Sequence, residues 1–309
     1  MPKLKSYLSL IKFSHTIFAM PFALMGFCLG LFPDRIHPNV EHVVFFERRA
    51  AVNREEVIWT LYLKPLILVV LCMVFARSAA MAFNRYLDRS FDAKNPRTAI
   101  REIPSGVIGA NNALLFTIVS SLLFVICTFF INRICFYLSP VALLVVLGYS
   151  YTKRFTPLCH LILGLGLSLA PIGAYLAITG QFDLLPILFS FTVLFWVSGF
   201  DIIYALQDEE FDKENKLYSI PASLGKPKAL RVSELLHVFS AVGVALAGWL
   251  GNFEWLYWTG AAIFIGMLIY QHSIVKPNDL KKVNIAFMTA NGIASAVFAI
   301  FVIADLFIN

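Results

Sequence analysis

Apolar runs recur along the whole of this 309-residue chain and are separated by short polar segments. A helix needs about 20 apolar residues to cross the hydrocarbon core of a bilayer. The runs are long and do not alternate in polarity, as the strands of a membrane barrel would. They predict an all-α, polytopic membrane protein with nine helices, at 13–32, 65–83, 111–131, 134–150, 160–179, 185–206, 232–250, 254–271 and 284–308.

The composition excludes the soluble alternatives. Only 14% of the residues are charged, whereas an average soluble domain has about 25%, so the chain lacks the polar side chains that a water-exposed surface needs. The net charge of +6 could indicate a protein that binds nucleic acid. In a membrane chain, however, the positions of Lys and Arg matter more than their sum. We therefore expect a lipid bilayer, and no nucleic acid, as the partner.

The distribution of Lys and Arg predicts an orientation, because cytoplasmic loops carry an excess of these residues. The N-terminal segment and the loops after the second, fourth, sixth and eighth predicted helices hold 18 of the 25. The opposite loops hold 6, and Arg77 lies inside the second helix. We expect a multi-pass protein of the inner (cytoplasmic) membrane, with the N-terminus in the cytoplasm and the C-terminus outside.

Residues 1–309 are expected to form one transmembrane domain with a long non-cytoplasmic loop at 33–64. Lys3 and Lys5 precede the first apolar run as in a signal peptide. The run is long, however, contains His15 and Pro21, and lacks a small-x-small cleavage site. We expect it to stay in the protein as the first helix.

The five cysteines form no C-x-x-C pair and mostly lie in the predicted spans. A metal site or a disulfide framework needs closely spaced or regularly placed cysteines. We therefore expect them to act as small apolar residues within helices.

Polar residues follow one face at the cytoplasmic end of the second predicted helix. Arg77, Asn84, Asp88 and Asp92 are spaced by seven, four and four residues, and such spacings share one face of a helix. An arginine inside a span costs about 2.5–3.5 kcal/mol on insertion scales. Such a residue is a functional candidate, and we expect this face to line a cavity.

A second polar face lies at the cytoplasmic end of the sixth predicted helix. Asp201, Tyr204, Asp208 and Asp212 are spaced by three, four and four residues, again along one helix face. Both faces emerge on the same predicted side of the membrane. Three glutamates of this segment fall outside the face and are expected to be solvated: Glu209, Glu210 and Glu214.

The paired aspartates indicate a bound cation, because carboxylates four residues apart repel each other. A single pair could consist of solvated loop carboxylates balanced by neighbouring Lys and Arg. Two matched pairs, Asp88/Asp92 and Asp208/Asp212, favour a metal site instead. Oxygen ligands without His or Cys select a hard ion, Mg²⁺ or Mn²⁺. Mg²⁺ held by few carboxylates completes its shell with water and phosphate oxygens. We expect a phosphate or diphosphate substrate at the membrane surface, and nearby basic residues fit that anion: Arg85, Arg97, Lys153 and Arg154.

The two clusters resemble the signatures of the UbiA superfamily of intramembrane aromatic prenyltransferases. The first has the pattern N-x-x-x-D-x-x-x-D. The second, D-x-x-Y-A-x-x-D-x-x-x-D, is similar to the extended motif of the 4-hydroxybenzoate polyprenyltransferase branch. Segments 95–98, 101–106 and 149–154 are also similar to family segments, so the resemblance runs from about residue 8 to the C-terminus. The loop at 33–64, with its stretch VVFFERRAAV, is longer than the family leads us to expect.

The resemblance implies a UbiA-like bundle around a central cavity. It implies Mg²⁺-dependent transfer of a polyprenyl group from polyprenyl diphosphate to an aromatic acid such as 4-hydroxybenzoate, with release of pyrophosphate, in ubiquinone or menaquinone synthesis. Two Mg²⁺ ions would be held by Asn84, Asp88, Asp92, Asp208 and Asp212. The diphosphate would be bound by Tyr149, Lys153, Arg154 and Arg97. Near the reacting carbon the resemblance implies Arg77, as partner of the acceptor carboxylate, with Asp201 and Tyr204.

Other functions remain open at this point. Within the superfamily they are dihydroxynaphthoate prenyltransferase, haem O synthase, chlorophyll synthase and the archaeal-lipid enzymes, although Asp201, Tyr204 and Ala205 favour the hydroxybenzoate branch. An ion or phosphate transporter is the alternative from a different class. Transporters usually place ionisable residues near the bilayer midplane in broken helices, whereas most of these acids lie at the predicted cytoplasmic rim.

Overall fold

The computed structural model describes residues 2–11, 18–32 and 58–308. Within these ranges the chain is helical, with one isolated bridge between Lys276 and Asp279 and no strand, so the all-α expectation is confirmed. The helices are α1 Pro2–Leu10, α2 Met20–Leu31, α3 Lys64–Asp92, α4 Ala110–Ile131, α5 Arg133–Thr152, α6 Cys159–Thr179, α7 Leu184–Ala205, α8 Glu209–Glu214, α9 Ile220–Leu224, α10 Lys226–Leu250, α11 Trp255–Ile274 and α12 Asn291–Ile308.

Seven helices of the described chain are long and apolar enough to cross a membrane. They are α3, α4, α5, α6, α7 with its continuation to Glu214, α10, and α12 with the π-helical turn Ile285–Ala290 before it. The first predicted span contains α2, which has 12 residues, and the eighth corresponds to α11, which has 20. The protein is therefore a multi-pass membrane protein, and the count of nine spans remains a prediction.

Two features of the sequence prediction lie partly or wholly outside the described residues. Most of the predicted loop 33–64, including the stretch VVFFERRAAV, lies in the range 33–57. Only a π-helical turn, Ile58–Leu63, is described next to α3. His15, which bears on the signal-peptide alternative, also lies outside the described ranges.

The core is built from aromatic side chains of α2, α7, α11 and α12. Phe22, Trp196, Phe264 and Phe298 are fully buried, and their ring centroids lie 5.2–6.4 Å apart. Trp196 Nε1 donates a hydrogen bond to Asn291 Oδ1 at 2.9 Å. A buried aromatic donor needs such a partner. This packing holds α7, which carries Asp201 and Tyr204 and leads into the rest of the second acidic motif, against the C-terminal helices.

Small residues allow α2, α6 and α7 to approach one another closely. A Cβ atom on Gly26 of α2 would lie 2.0 Å from the backbone oxygen of Pro171 in α6. A Cβ atom on Gly164 of α6 would lie 2.4 Å from the oxygen of Leu194 in α7. Because helices in membranes associate mainly through close packing, these glycines fix the spacing of the bundle.

Candidate active site

The first acidic motif lies entirely on α3, which extends to Asp92 rather than ending at 83. The apolar run ends at 83, but the helix continues because the following polar side chains find partners. Asn84 Nδ2 donates to Asp88 Oδ2 at 3.2 Å, as the four-residue spacing allows. Asp92, the last residue of the helix, is buried. The predicted helix face is present and carries the motif.

The second motif runs over three consecutive elements, so the single helix face that its spacing predicts is interrupted. Helix α7 ends at Ala205, a 3₁₀ turn covers Leu206–Asp208, and α8 begins at Glu209. Asp208 and Asp212 are nevertheless both buried. A change from α to 3₁₀ geometry rotates later residues about the helix axis. The two aspartates therefore reach the site from two short elements.

Glu209 also differs from expectation. It is 8% exposed rather than solvated. Its carboxylate lies 2.5 Å from Lys213 Nζ and 3.9 Å from Lys226 Nζ. Because these two lysines neutralise its charge, the Glu209 carboxylate can be buried.

Each of the four motif aspartates forms an ion pair with a basic side chain from segment 97–101 or 153–154. The pairs are Asp88 with Arg154 (3.0 Å), Asp92 with Arg101 (2.7 Å), Asp212 with Lys153 (2.8 Å) and Asp208 with Arg97. The structure thus brings together both acidic motifs and three of the four basic residues predicted to bind an anion. The fourth, Arg85, lies 4.0 Å from Asp92 Oδ2.

The segment after α3 joins the two motifs directly. Asn95 Nδ2 donates to Asp208 Oδ1 at 3.2 Å, and Arg97 Nε donates to the same oxygen at 3.1 Å. Arg97 Nη1 also donates to the Tyr204 hydroxyl at 3.0 Å. Tyr204 in turn packs on Phe287, with ring centroids 4.3 Å apart. Tyr204 therefore holds Arg97 in place beside the second motif.

The carboxylates hold the neighbouring cations in their charged forms. Burial by itself would lower the pKa of Lys153, but the Asp212 carboxylate offsets this and raises the pKa above its ordinary value. Burial would also lower the pKa of Arg97, but Asp208 and the Tyr204 hydroxyl raise it above its ordinary value. Both cations are available for a phosphate.

The oxygen donors suit a metal that arrives with a phosphate. In the described part of the chain, no three His, Cys, Asp or Glu side chains lie close enough to form a protein-only metal cage. The four carboxylates and Asn84 offer only oxygen or amide ligands, the kind that Mg²⁺ prefers. Asp92 Oδ2 is buried without a hydrogen bond from the described residues. These donors fit Mg²⁺ that takes its remaining ligands from water and phosphate.

An apolar cavity of about 360 Å³ lies between α3, α4, α5 and α6. Arg77 and Tyr149 line it, and most of its other lining side chains are apolar, such as Val69 and Leu167. Arg77 Nε is buried and has no hydrogen-bond partner among the described residues. The lining residues Val141 and Phe182 are more than half exposed. The cavity therefore combines the positive charge of Arg77 with apolar walls, and it opens to the surface of the protein.

Asp201 pairs with a histidine, whereas the other four motif aspartates pair with arginine or lysine. Its Oδ2 lies 2.7 Å from Nδ1 of His160, the second residue of α6. Tyr149 and Arg77 share the cavity but make no hydrogen bond to the motif aspartates among the bonds of the described residues. The predicted site is thus divided into a charged part at the helix ends and a cavity part containing Arg77.

Sequence reasoning missed four polar residues of this region. Asn95 and Arg101 lie in segments whose similarity to a family was recognised, but no role was given to them. Ser219, whose Oγ donates to Asp212 at 2.8 Å, and His160 gave no sequence signal. Both contact partners through the tertiary fold, which residue spacing does not report.

The match to known proteins decides the family. The UbiA prenyltransferase family matches residues 54–293, more than half of the chain. The chain belongs to the UbiA prenyltransferase family. It is 30% identical over 250 residues to a 4-hydroxybenzoate octaprenyltransferase of Tolumonas auensis, a match that covers 78% of this chain and 87% of that protein.

Solved structures show the same fold. The apo structure of a UbiA homolog from Aeropyrum pernix superposes with a TM-score of 0.74 at 25% identity, over 95% of this chain and 97% of that one. A UbiA homolog from Archaeoglobus fulgidus, solved bound to GPP and Mg²⁺, gives a TM-score of 0.69 at 21% identity over 98% and 100% of the two chains. This chain is a membrane-bound prenyltransferase with the UbiA fold.

Proposed function

We propose that this prenyltransferase transfers a polyprenyl group from polyprenyl diphosphate to an aromatic acid of the 4-hydroxybenzoate type in quinone biosynthesis. The observation that carries the proposal is the position of Arg77 in an apolar cavity, near the helix ends where two aspartate motifs meet four basic side chains. The relationship to 4-hydroxybenzoate octaprenyltransferases supports the same acceptor.

The charged part of the site is suited to bind the diphosphate together with two Mg²⁺ ions. When bound, Mg²⁺ neutralises the charge that grows on the departing pyrophosphate, which is Lewis-acid catalysis. Its protein ligands in this proposal are Asn84, Asp88, Asp92, Asp208 and Asp212. Lys153, Arg154 and Arg97 now pair with carboxylates, and they can turn their donors to phosphate oxygens as metal replaces them. Tyr149 completes the diphosphate site from the cavity side.

The cavity part of the site is suited to the carbon chemistry. The bond from allylic C1 to oxygen breaks and its electron pair leaves with pyrophosphate. The ring carbon ortho to the phenol hydroxyl then bonds to C1, and its proton leaves as aromaticity returns. Apolar walls keep water away from the electron-poor C1 and take up the isoprenoid tail, for which each buried CH₂ contributes about 0.8 kcal/mol.

Two residues orient the acceptor in this proposal. Arg77 pairs with the acceptor carboxylate, since its guanidinium has donors that match both carboxylate oxygens. Asp201 accepts a hydrogen bond from the phenol hydroxyl, which raises the electron density of the ortho carbon. Tyr204 contributes through Arg97, whose position it fixes.

The first test uses full-length protein in liposomes with geranyl diphosphate, 4-hydroxybenzoate and MgCl₂. We expect pyrophosphate release and a product whose mass equals the acid plus one geranyl group, and loss of both after EDTA treatment. Asp88→Asn and Asp208→Asn should each lower kcat at least about 100-fold, the size found when one electrostatic stabiliser of a transition state is removed. Robust activity of either variant would defeat the metal assignment.

Glu210→Gln is the matched control. Like the aspartate substitutions it removes one negative charge, but Glu210 of α8 is exposed and forms no ion pair with any residue that the structure describes. We expect it to retain wild-type activity. Product formation from 1,4-dihydroxy-2-naphthoate, but not from 4-hydroxybenzoate, would move the chain to another branch of the family and contradict the proposed acceptor.

A further inference from the structure

His160 and Asp201 form a short polar contact between α6 and α7. His160 Nδ1 lies 2.7 Å from Asp201 Oδ2, and the two residues are 41 positions apart in the chain. The His160 side chain is 4% exposed, whereas that of Asp201 is 23% exposed. The histidine is thus enclosed behind the carboxylate, and the carboxylate is the member of the pair that a ligand can reach.

The second nitrogen of His160 fixes the tautomer of the ring. Its Nε2 lies 3.4 Å from the backbone nitrogen of Ile220. A backbone N–H only donates, so Nε2 accepts this hydrogen bond and the ring proton is on Nδ1. Nδ1–H therefore donates to Asp201 Oδ2. His160 is also in the first turn of α6, where the helix dipole disfavours a positive charge.

Segment 218–220 connects the His160–Asp201 pair to the charged part of the site. Ile220 follows Ser219, whose Oγ donates to Asp212 Oδ2 at 2.8 Å. The backbone nitrogen of Tyr218 donates to the Lys153 oxygen at 2.7 Å. Segment 218–220 therefore contacts the His160 ring on one side and the Asp212–Lys153 pair on the other.

We propose that His160 is a positioning residue that holds one oxygen of Asp201 and leaves the other directed to the acceptor phenol. The inference rests on the proposed function, because Asp201 is assigned there to orient that phenol. A donor on one carboxylate oxygen fixes the rotation of the carboxylate, as outer partners do for other functional side chains. Without the donor, Asp201 would rotate and the acceptor would lose its alignment.

The test replaces the donor and measures prenylation of 4-hydroxybenzoate in liposomes. His160→Leu and His160→Met lack a donor, and we expect each to lower kcat at least about tenfold, as the loss of a hydrogen bond to a charged group does. The apparent KM for geranyl diphosphate should change less than about twofold, because the diphosphate partners keep their ion pairs. His160→Asn places an amide donor near the position of Nδ1 and should restore kcat to within about threefold.

A double-mutant cycle separates positioning from a structural role. In an Asp201→Asn background, His160→Leu should cost less than about twofold further, since residues that act through each other are not additive. Ser168→Ala is the control on the same helix, because Ser168 is buried and, among the described residues, its hydroxyl bonds to Leu165 O of α6 and to no other group. It should retain full activity.

Two results would overturn the inference. One is wild-type kcat in both donor-less variants, and the other is a loss on His160→Leu that is equally large with and without the Asp201 carboxylate. A failure of the proposed function gives a different result, since wild-type protein itself would then form no prenylated acid.

Discussion

At the scale of single residues, Arg77 is the side chain that most needs an explanation. It places a charged guanidinium in a cavity with mainly apolar walls, and its Nε has no partner among the described residues. An arginine in a span costs about 2.5–3.5 kcal/mol on insertion scales. A ligand carboxylate would offset this cost, because a charge-assisted pair satisfies several donors at once.

Arg77→Gln should therefore change which acceptor is used, not only how fast it reacts. We expect kcat/KM for 4-hydroxybenzoate to fall about 10- to 100-fold, the range for losing a hydrogen bond to a charged group. With the uncharged isostere 4-hydroxybenzamide the change should be less than about threefold, because no carboxylate is present to lose its partner. Product mass spectrometry with both acceptors measures the ratio.

Thr128→Val provides the comparison for Arg77→Gln. Thr128 lines the same cavity, but its hydroxyl donates to Val125 O of its own helix at 2.7 Å and to no other group of the described ranges. It should leave the preference between the two acceptors unchanged. An equal loss of activity with both acceptors in Arg77→Gln would mean that the arginine does not bind the carboxylate.

At the scale of elements, the sequence predicted the helices better than the joints between them. Spacing alone placed Asn84, Asp88 and Asp92 on one helix face, and α3 carries them there. The spacing also placed Asp208 and Asp212 on the same helix face as Asp201, although the structure has a 3₁₀ turn at Leu206–Asp208 between them. No Gly or Pro marks that change. It accompanies the hydrogen bonds of Asp208 to Asn95 and Arg97, which lie more than 100 residues earlier in the chain.

Close helix contacts were equally hidden in the sequence, and they can be tested. Gly26→Ala in α2 should destabilise the protein by about 1–3 kcal/mol, as overpacking does, because the added Cβ would lie 2.0 Å from Pro171 O. The measurement is the thermal unfolding midpoint in detergent, read by intrinsic tryptophan fluorescence. The midpoint should fall.

Gly266→Ala in α11 adds the same methyl group at a position where no described atom outside its own stretch of helix lies within 4 Å. Its unfolding midpoint should stay at or above that of wild type, since alanine is the better helix former. If both variants unfold at the wild-type temperature, α2 and α6 separate easily and Gly26 does not set their distance.

At the scale of the whole molecule, the few charged residues are concentrated in one region and an apolar cavity occupies another. Charged residues are 14% of the chain, and the aspartates and cations of the motifs come together at the adjoining ends of α3, α5 and α7. The apolar cavity begins beside them and contains Arg77. A substrate with an ionic head and a long isoprenoid tail has the same division, which explains why this reaction suits an enzyme embedded in lipid.

The excess of Lys and Arg predicts that the charged ends face the cytoplasm, and single cysteines can establish this. Lys94 follows α3 on the predicted cytoplasmic side, and Gln181 lies in the turn between α6 and α7 on the predicted outer side; both are exposed. In a cysteine-free background, a membrane-impermeant maleimide added to intact bacteria should label Gln181→Cys. Lys94→Cys should be labelled only after the membrane is permeabilised, because the bilayer otherwise separates it from the reagent. The reverse labelling pattern would contradict the predicted orientation, although the fold would be unchanged. It would place the diphosphate site outside the cell, away from the cytoplasmic prenyl diphosphate that the proposed reaction requires.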